Sequence, residues 1–86
     1  MQVSHKALRL MPKLNPCKRR AFIKKLVKLG LNAPEPGGRH FYMRYGTKVL
    51  TIPSNDEYGV PQLKMIVKEL EKLIGRTITL EEWEEL

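Results

Sequence analysis

An α+β domain, a small antiparallel sheet packed against helices, is the fold class this sequence predicts, and the order of its hydrophobic periods is the reason. Two stretches repeat apolar residues at helical spacing, an alternating stretch with a glycine turn lies between them, and a short capped segment closes the chain. With 86 residues there is room for one domain and one modest core. The 42% hydrophobic and 29% charged residues are the balance of a globular protein, which argues against wholesale disorder.

Residues 1–10 show no clear period and read as an N-terminal extension, free to be flexible, ahead of a single domain over 11–86; Met11 is a second methionine at which translation can begin. Over 16–29, Phe22, Ile23, Leu26, Val27 and Leu29 recur at helical spacing, with Arg19, Arg20, Lys24, Lys25 and Lys28 mainly on the other side. Asn15 is placed to cap this helix, Pro16 to begin it and Gly30 to stop it. LNAPEPGG is too rich in proline and glycine for regular structure beyond a short strand over 31–33.

In RHFYMRY, Phe41, Met43 and Tyr45 alternate with His40, Tyr42 and Arg44, so Phe41 and Met43 turn inward and His40, Tyr42 and Arg44 share the other face. YGTK is a turn, and KVLTIP is a β-branched return strand ended by Pro53. SNDEYGVP reads as a polar loop. A second helix over 61–74 buries Leu63, Ile66, Val67, Leu70 and Leu73, with Pro61 in its first turn and Gly75 as its stop. In TLEEWEEL, Thr79 and Glu82 have capping-box spacing and Leu80, Trp83 and Leu86 form one apolar stripe, the pattern of a short terminal helix.

Charge is distributed unevenly. Residues 1–53 carry twelve basic side chains and one acid, Glu35, while residues 54–86 carry four basic and eight acidic ones, which together make the net +7. A polyanion would meet the N-terminal half first, although a solvated basic face has the same composition. Cys17 is the only cysteine, which excludes an internal disulfide and a multi-cysteine zinc site and suits a reducing cytoplasm. In the first turn of the first helix it is an incidental small residue or a thiol of lowered pKa. No stretch has the length and apolarity of a signal peptide or a membrane span, so a cytoplasmic protein with no membrane partner is expected. His5, His40 and Cys17 lack ligand spacing and Asp56 and Glu57 are adjacent, so no metal site and no cofactor are expected.

The segments MPKLNPCKRRAFIKKLVKLGL, GGRHFYM, LTIP and LKMIVKELEKLIGRTITLEEWEEL, in this order, resemble the HicA (YcfA-like) family of small toxins. The resemblance covers about residues 11–86. It implies a double-stranded-RNA-binding-like α-β-β-β-α fold and the activity of an mRNA interferase, a metal-independent endoribonuclease in a type II toxin-antitoxin system. It also implies a HicB-like antitoxin partner, the chain being a monomer when free and part of a hetero-oligomer when held. The family's catalytic histidine falls on His40 and its leading glycine on Gly37. Many members have Ser where this chain has Gly38, and many carry a further histidine where this chain has PSNDEYG.

Cleavage of single-stranded mRNA without a metal needs a base for the 2′-hydroxyl, an acid for the leaving 5′-oxygen and positive groups around the phosphate. His40 suits the proton transfers, since imidazole titrates near neutrality. Gly37 and Gly38 allow the backbone to approach a phosphate, Arg39, Arg44 and Lys48 supply positive charge, and Tyr42 can stack a base. On the residues alone, His40 reads first as a strand-edge histidine bonded to a carbonyl, and Tyr42, Arg44 and Lys48 read equally as a solvated face. The alternative functions are a non-catalytic RNA-binding module and a regulatory partner protein of the same fold. Lys64 and Lys68 stand alone at the start of the second helix, which weakens a duplex-binding version.

Overall fold

The computed structural model describes Ala7, Leu8 and residues 14–86. Its elements run β1 (Cys17–Lys18), α1 (Arg19–Lys28), β2 (Glu35–Gly37), β3 (His40–Tyr45), β4 (Lys48–Ile52), β5 (Glu57–Tyr58), α2 (Val60–Ile74) and α3 (Leu80–Glu85). The expected α-β-β-β-α order is present as α1-β2-β3-β4-α2, with a short C-terminal helix after it. β2, β3 and β4 form an antiparallel meander, and β1 pairs with β5 in a separate two-stranded ladder.

Both turns of the meander hold two residues. Gly37 pairs with His40 across Gly38-Arg39, and Tyr45 pairs with Lys48 across Gly46-Thr47. In each the first central residue is a glycine at positive φ, +79° at Gly38 and +62° at Gly46, as hairpin turns that match strand twist require. The alternation read from RHFYMRY is realised: Met43 is fully buried, Phe41 and Tyr45 pack partly against the core, and His40 and Arg44 are exposed.

The core lies between the inner face of this sheet and the helices. Met43, Leu50 and Ile52 meet Leu63, Ile66, Val67 and Leu70 of α2 and Phe22 and Leu26 of α1 in one cluster. Phe22 touches Tyr58 edge-on at 5.4 Å and Trp83 at 5.5 Å, joining α1, β5 and α3. Each such side chain contributes roughly 1.5–3 kcal/mol by leaving water. Lys25 Nζ lies 5.1 Å over the Trp83 ring and donates to the Trp83 carbonyl at 2.6 Å, so one α1 cation serves α3 and not solvent.

Three local expectations are corrected. The first helix begins at Arg19, not at residue 16: Lys18 is extended at its N-cap, so neither Asn15 caps it nor Pro16 starts it. Cys17 and Lys18 pair instead with Tyr58 and Glu57, and the Arg19 N–H reaches the Asp56 carbonyl at 2.9 Å. The short strand near the prolines is Glu35–Gly37, not 31–33. The polar loop contains β5, because Tyr58 is fully buried and its hydroxyl donates to the Pro53 carbonyl at 2.7 Å.

α2 ends as expected at Gly75, whose φ of +77° accommodates the left-handed stop. α3 is capped by Thr79, whose side chain accepts from the Glu82 N–H at 3.2 Å. The reciprocal half of the capping box is replaced, because the Glu82 carboxylate accepts two bonds of 2.6 Å from Arg76. The boundary between residues 10 and 11 lies outside the described residues. Ahead of it, Ala7 bridges Thr79, and buried Leu8 donates its N–H to the Ile78 carbonyl at 2.8 Å.

Candidate nucleic-acid interface

The pleat of the meander distributes the candidate residues. Opposite the core, His40, Tyr42 and Arg44 of β3 share a face with Glu35 and Gly37 of β2 and with Val49 and Thr51 of β4. His40 is the first residue after the Gly38-Arg39 turn, exposed at one end of the sheet, with Arg39 beside it. Its ring makes no hydrogen bond or ion pair among the described residues, so it is not anchored to a carbonyl.

Gly37 and Gly38 have separate structural duties. The Tyr42 ring lies across the Gly37 backbone, in space that any side chain at Gly37 would occupy. Gly38 faces open solvent, and its positive φ is what the turn needs. Arg44 Nε donates to Glu35 Oε2 at 2.8 Å, which pairs it with the single acid of the basic half. Lys48 is not brought to this group. It pairs with Tyr45 at the far end of β3, about 17 Å from His40 at strand rise, and its side chain has the pleat parity of the core-facing set.

Arg19 was not among the sequence-derived site residues, yet it ties α1 to the His40 end of the sheet. Its guanidinium lies 5.5 Å from the centre of the Phe41 ring, donates to the Ser54 carbonyl at 2.7 Å and stands 3.8 Å from Asp56 Oδ1. Phe41 adjoins His40 in sequence. Beside Arg19 opens a groove of about 670 Å³ lined by Lys18, Arg19, Arg20, Lys24, Asp56 and Glu57.

The first turn of α1 has no acidic residue, and Lys18, Arg19 and Arg20 occupy its N-cap and first two positions. Cations there oppose the helix dipole and add to the positive potential of the exposed N–H groups. The signal was the run CKRR: with the helix begun at residue 16 these charges looked like a solvated flank, whereas a start at Arg19 gathers them at its mouth.

Burial raises the Cys17 thiol above its usual pKa, with Lys25 opposing and Glu57 assisting, so Cys17 is not a lowered-pKa thiol. The Tyr58 hydroxyl is pushed up to about 12 by the same cause. Among the described residues no three His, Cys, Asp or Glu side chains converge as metal ligands, and no helix is long and apolar enough to cross a membrane. No family model matches the sequence, and neither a curated protein nor a solved structure does.

Proposed function

We propose that this chain is a metal-independent endoribonuclease of the HicA toxin type, acting on single-stranded mRNA in the cytoplasm and held in check by a HicB-like antitoxin. The reading rests on the sequence resemblance, and one observation supports it above the others. His40 is solvent-facing and unbonded among the described residues, and Arg19 of α1 lies 5.5 Å from the ring centre of its sequence neighbour Phe41 on the other face of the sheet.

In this reading the His40 imidazole takes the proton of a 2′-hydroxyl. The 2′-oxygen bonds to phosphorus while the bond from phosphorus to the 5′-oxygen breaks, and that oxygen takes a proton from water or from the imidazolium. A cyclic phosphate and a 5′-hydroxyl result. Arg39 beside His40 and the cations of the α1 groove offset the charge on the phosphates. Tyr42, half-buried against Gly37, offers a rigid ring for a base.

The decisive comparison is the full chain with His40→Ala, using single-stranded RNA in the presence of chelator and RNA integrity after induction in a host. General acid-base catalysis contributes on the order of 10²–10⁴ in rate, so the alanine variant is expected to cleave at least about 100-fold more slowly while remaining folded. Equal cleavage by both proteins would overturn the reading. The second reading, a module that binds single-stranded RNA without cutting it, draws on the Tyr42 platform and on the lack, among the described residues, of a side chain bonded to His40. It would be favoured if both proteins bound RNA and neither cleaved it.

A further inference from the structure

The meander has two edges, and they are unlike. β2 is three residues long and includes Pro36, whose partner is Phe41. Gly37 and His40 flank a two-residue turn and so form a hydrogen-bonded pair, and the next pair, Pro36 with Phe41, is a non-bonded one. The proline nitrogen therefore faces outward and removes the donor from that edge, a common way to prevent further pairing.

β4 has no such protection. Tyr45 and Lys48 flank the other turn, so alternation aims the main-chain groups of Lys48, Leu50 and Ile52 at β3 and those of Val49 and Thr51 away from it. Among the described residues neither Val49 nor Thr51 bonds its N–H or C=O outside the sheet. Alongside runs a groove of about 390 Å³ between β4 and α2, lined by Val49, Thr51, Met65, Ile66, Lys68 and Glu69. Val49 is 44% and Met65 70% exposed, both large apolar residues facing solvent at this groove. Lys68 and Glu69 line it, Lys48 and Lys72 line the adjoining groove that shares Val49 and Glu69, and Glu69 is paired with Lys72 at 3.6 Å, so the surroundings of the edge are mainly positive.

We propose that the β4 edge and this groove receive an extended, acid-bearing segment of a partner protein as a fourth strand. The N–H and C=O groups of Val49 and Thr51, unbonded outside the sheet among the described residues, supply the main-chain ladder. Apolar side chains on one face of the incoming strand pack beside Val49 on the outer face of the sheet, and its carboxylates, on the opposite face, meet Lys48 and Lys68 on the α2 side. A second copy of the chain fits less well, because it would bring two +7 molecules together with both lysine sets at the joint. The proposal does not depend on the role of His40.

The test is amide hydrogen exchange on the isotope-labelled full chain, titrated with a synthetic seven-residue peptide of alternating valine and glutamate. The Val49 and Thr51 amides are expected to exchange at least tenfold more slowly with peptide bound, and a valine-lysine peptide to bind at least tenfold more weakly. Thr51→Pro removes an outward donor without touching the ladder to β3, and Met65→Glu sets a repelling charge on an exposed helical position. Each is expected to weaken binding of the acidic peptide at least tenfold, and Met65→Glu stands alone if Thr51→Pro does not fold. Unchanged exchange at millimolar peptide would overturn the proposal, as would equal binding of the lysine peptide. Protection that rises with protein concentration in the absence of peptide would assign the edge to a second copy instead.

Discussion

At the scale of single residues, the hairpin around His40 divides into what a strand alternation encodes and what it does not. His40, Tyr42 and Arg44 face outward because residues two apart share a face, which is legible in seven letters. The reason for glycine at 37 is not, because it depends on an aromatic ring contributed by the neighbouring strand. Gly37→Ala is expected to destabilise the chain by about 1–3 kcal/mol, the range for overpacking a filled site. The same substitution in a Tyr42→Ala background should cost less, with a coupling of at least about 0.5 kcal/mol in a double-mutant cycle of denaturant unfolding. Simple additivity would mean that the ring and the glycine are independent. Gly38, where the proposed relatives often carry Ser, holds a φ of +79° that a serine would adopt only under strain.

At the scale of elements, the sequence was most informative where a hydrophobic period ran long, and least where two short segments satisfied one another. α2 could be bounded almost to the residue, since five apolar positions, a proline and a glycine agree. β1 and β5 have two residues each and exist because burying Tyr58 requires partners for its backbone, a tertiary demand with no local signature. Thr79 was legible as a cap, whereas the partner of Glu82 was not, because Arg76 competes for its carboxylate from the preceding loop. Hydrogen bonding to Arg76 holds the Glu82 carboxyl below the usual carboxylate range. Its contribution is therefore full above the unfolded carboxylate pKa of about 4.3 and is lost as pH falls through the lower folded value. Glu82→Gln is expected to lower stability at neutral pH by about 0.5–1 kcal/mol, the range for a well-aligned surface pair. It should also flatten the acid limb of stability against pH, with the two proteins converging at low pH; parallel curves throughout would show that the pair contributes nothing.

For the whole molecule, the basic half read from the sequence supplies Lys18, Arg19, Arg20 and Lys24 to a groove at one end of α1, which Asp56 and Glu57 of the acidic half also line. Within the basic half Arg44 is partnered by Glu35, Lys25 by Trp83 and Arg19 by the loop at Ser54, which leaves Arg20 and Lys24 among the charges open to a phosphate chain. Replacing both with glutamine is expected to reduce the slope of log affinity for single-stranded RNA against log salt by about 1.4, at about 0.7 per phosphate contact. Fluorescence anisotropy over a salt series would measure it, and an unchanged slope would remove the α1 groove from the interface. The bridge of Ala7 to Thr79 and the burial of Leu8 make two residues far from α3 in sequence part of the support beneath it. Deleting residues 1–10 would take the Leu8 N–H from the Ile78 carbonyl and leave a leucine-sized void, a loss on the order of 2–5 kcal/mol against the roughly 5–15 kcal/mol that holds a typical domain together, so a proteolytic cut there would reach the C-terminal end of the fold.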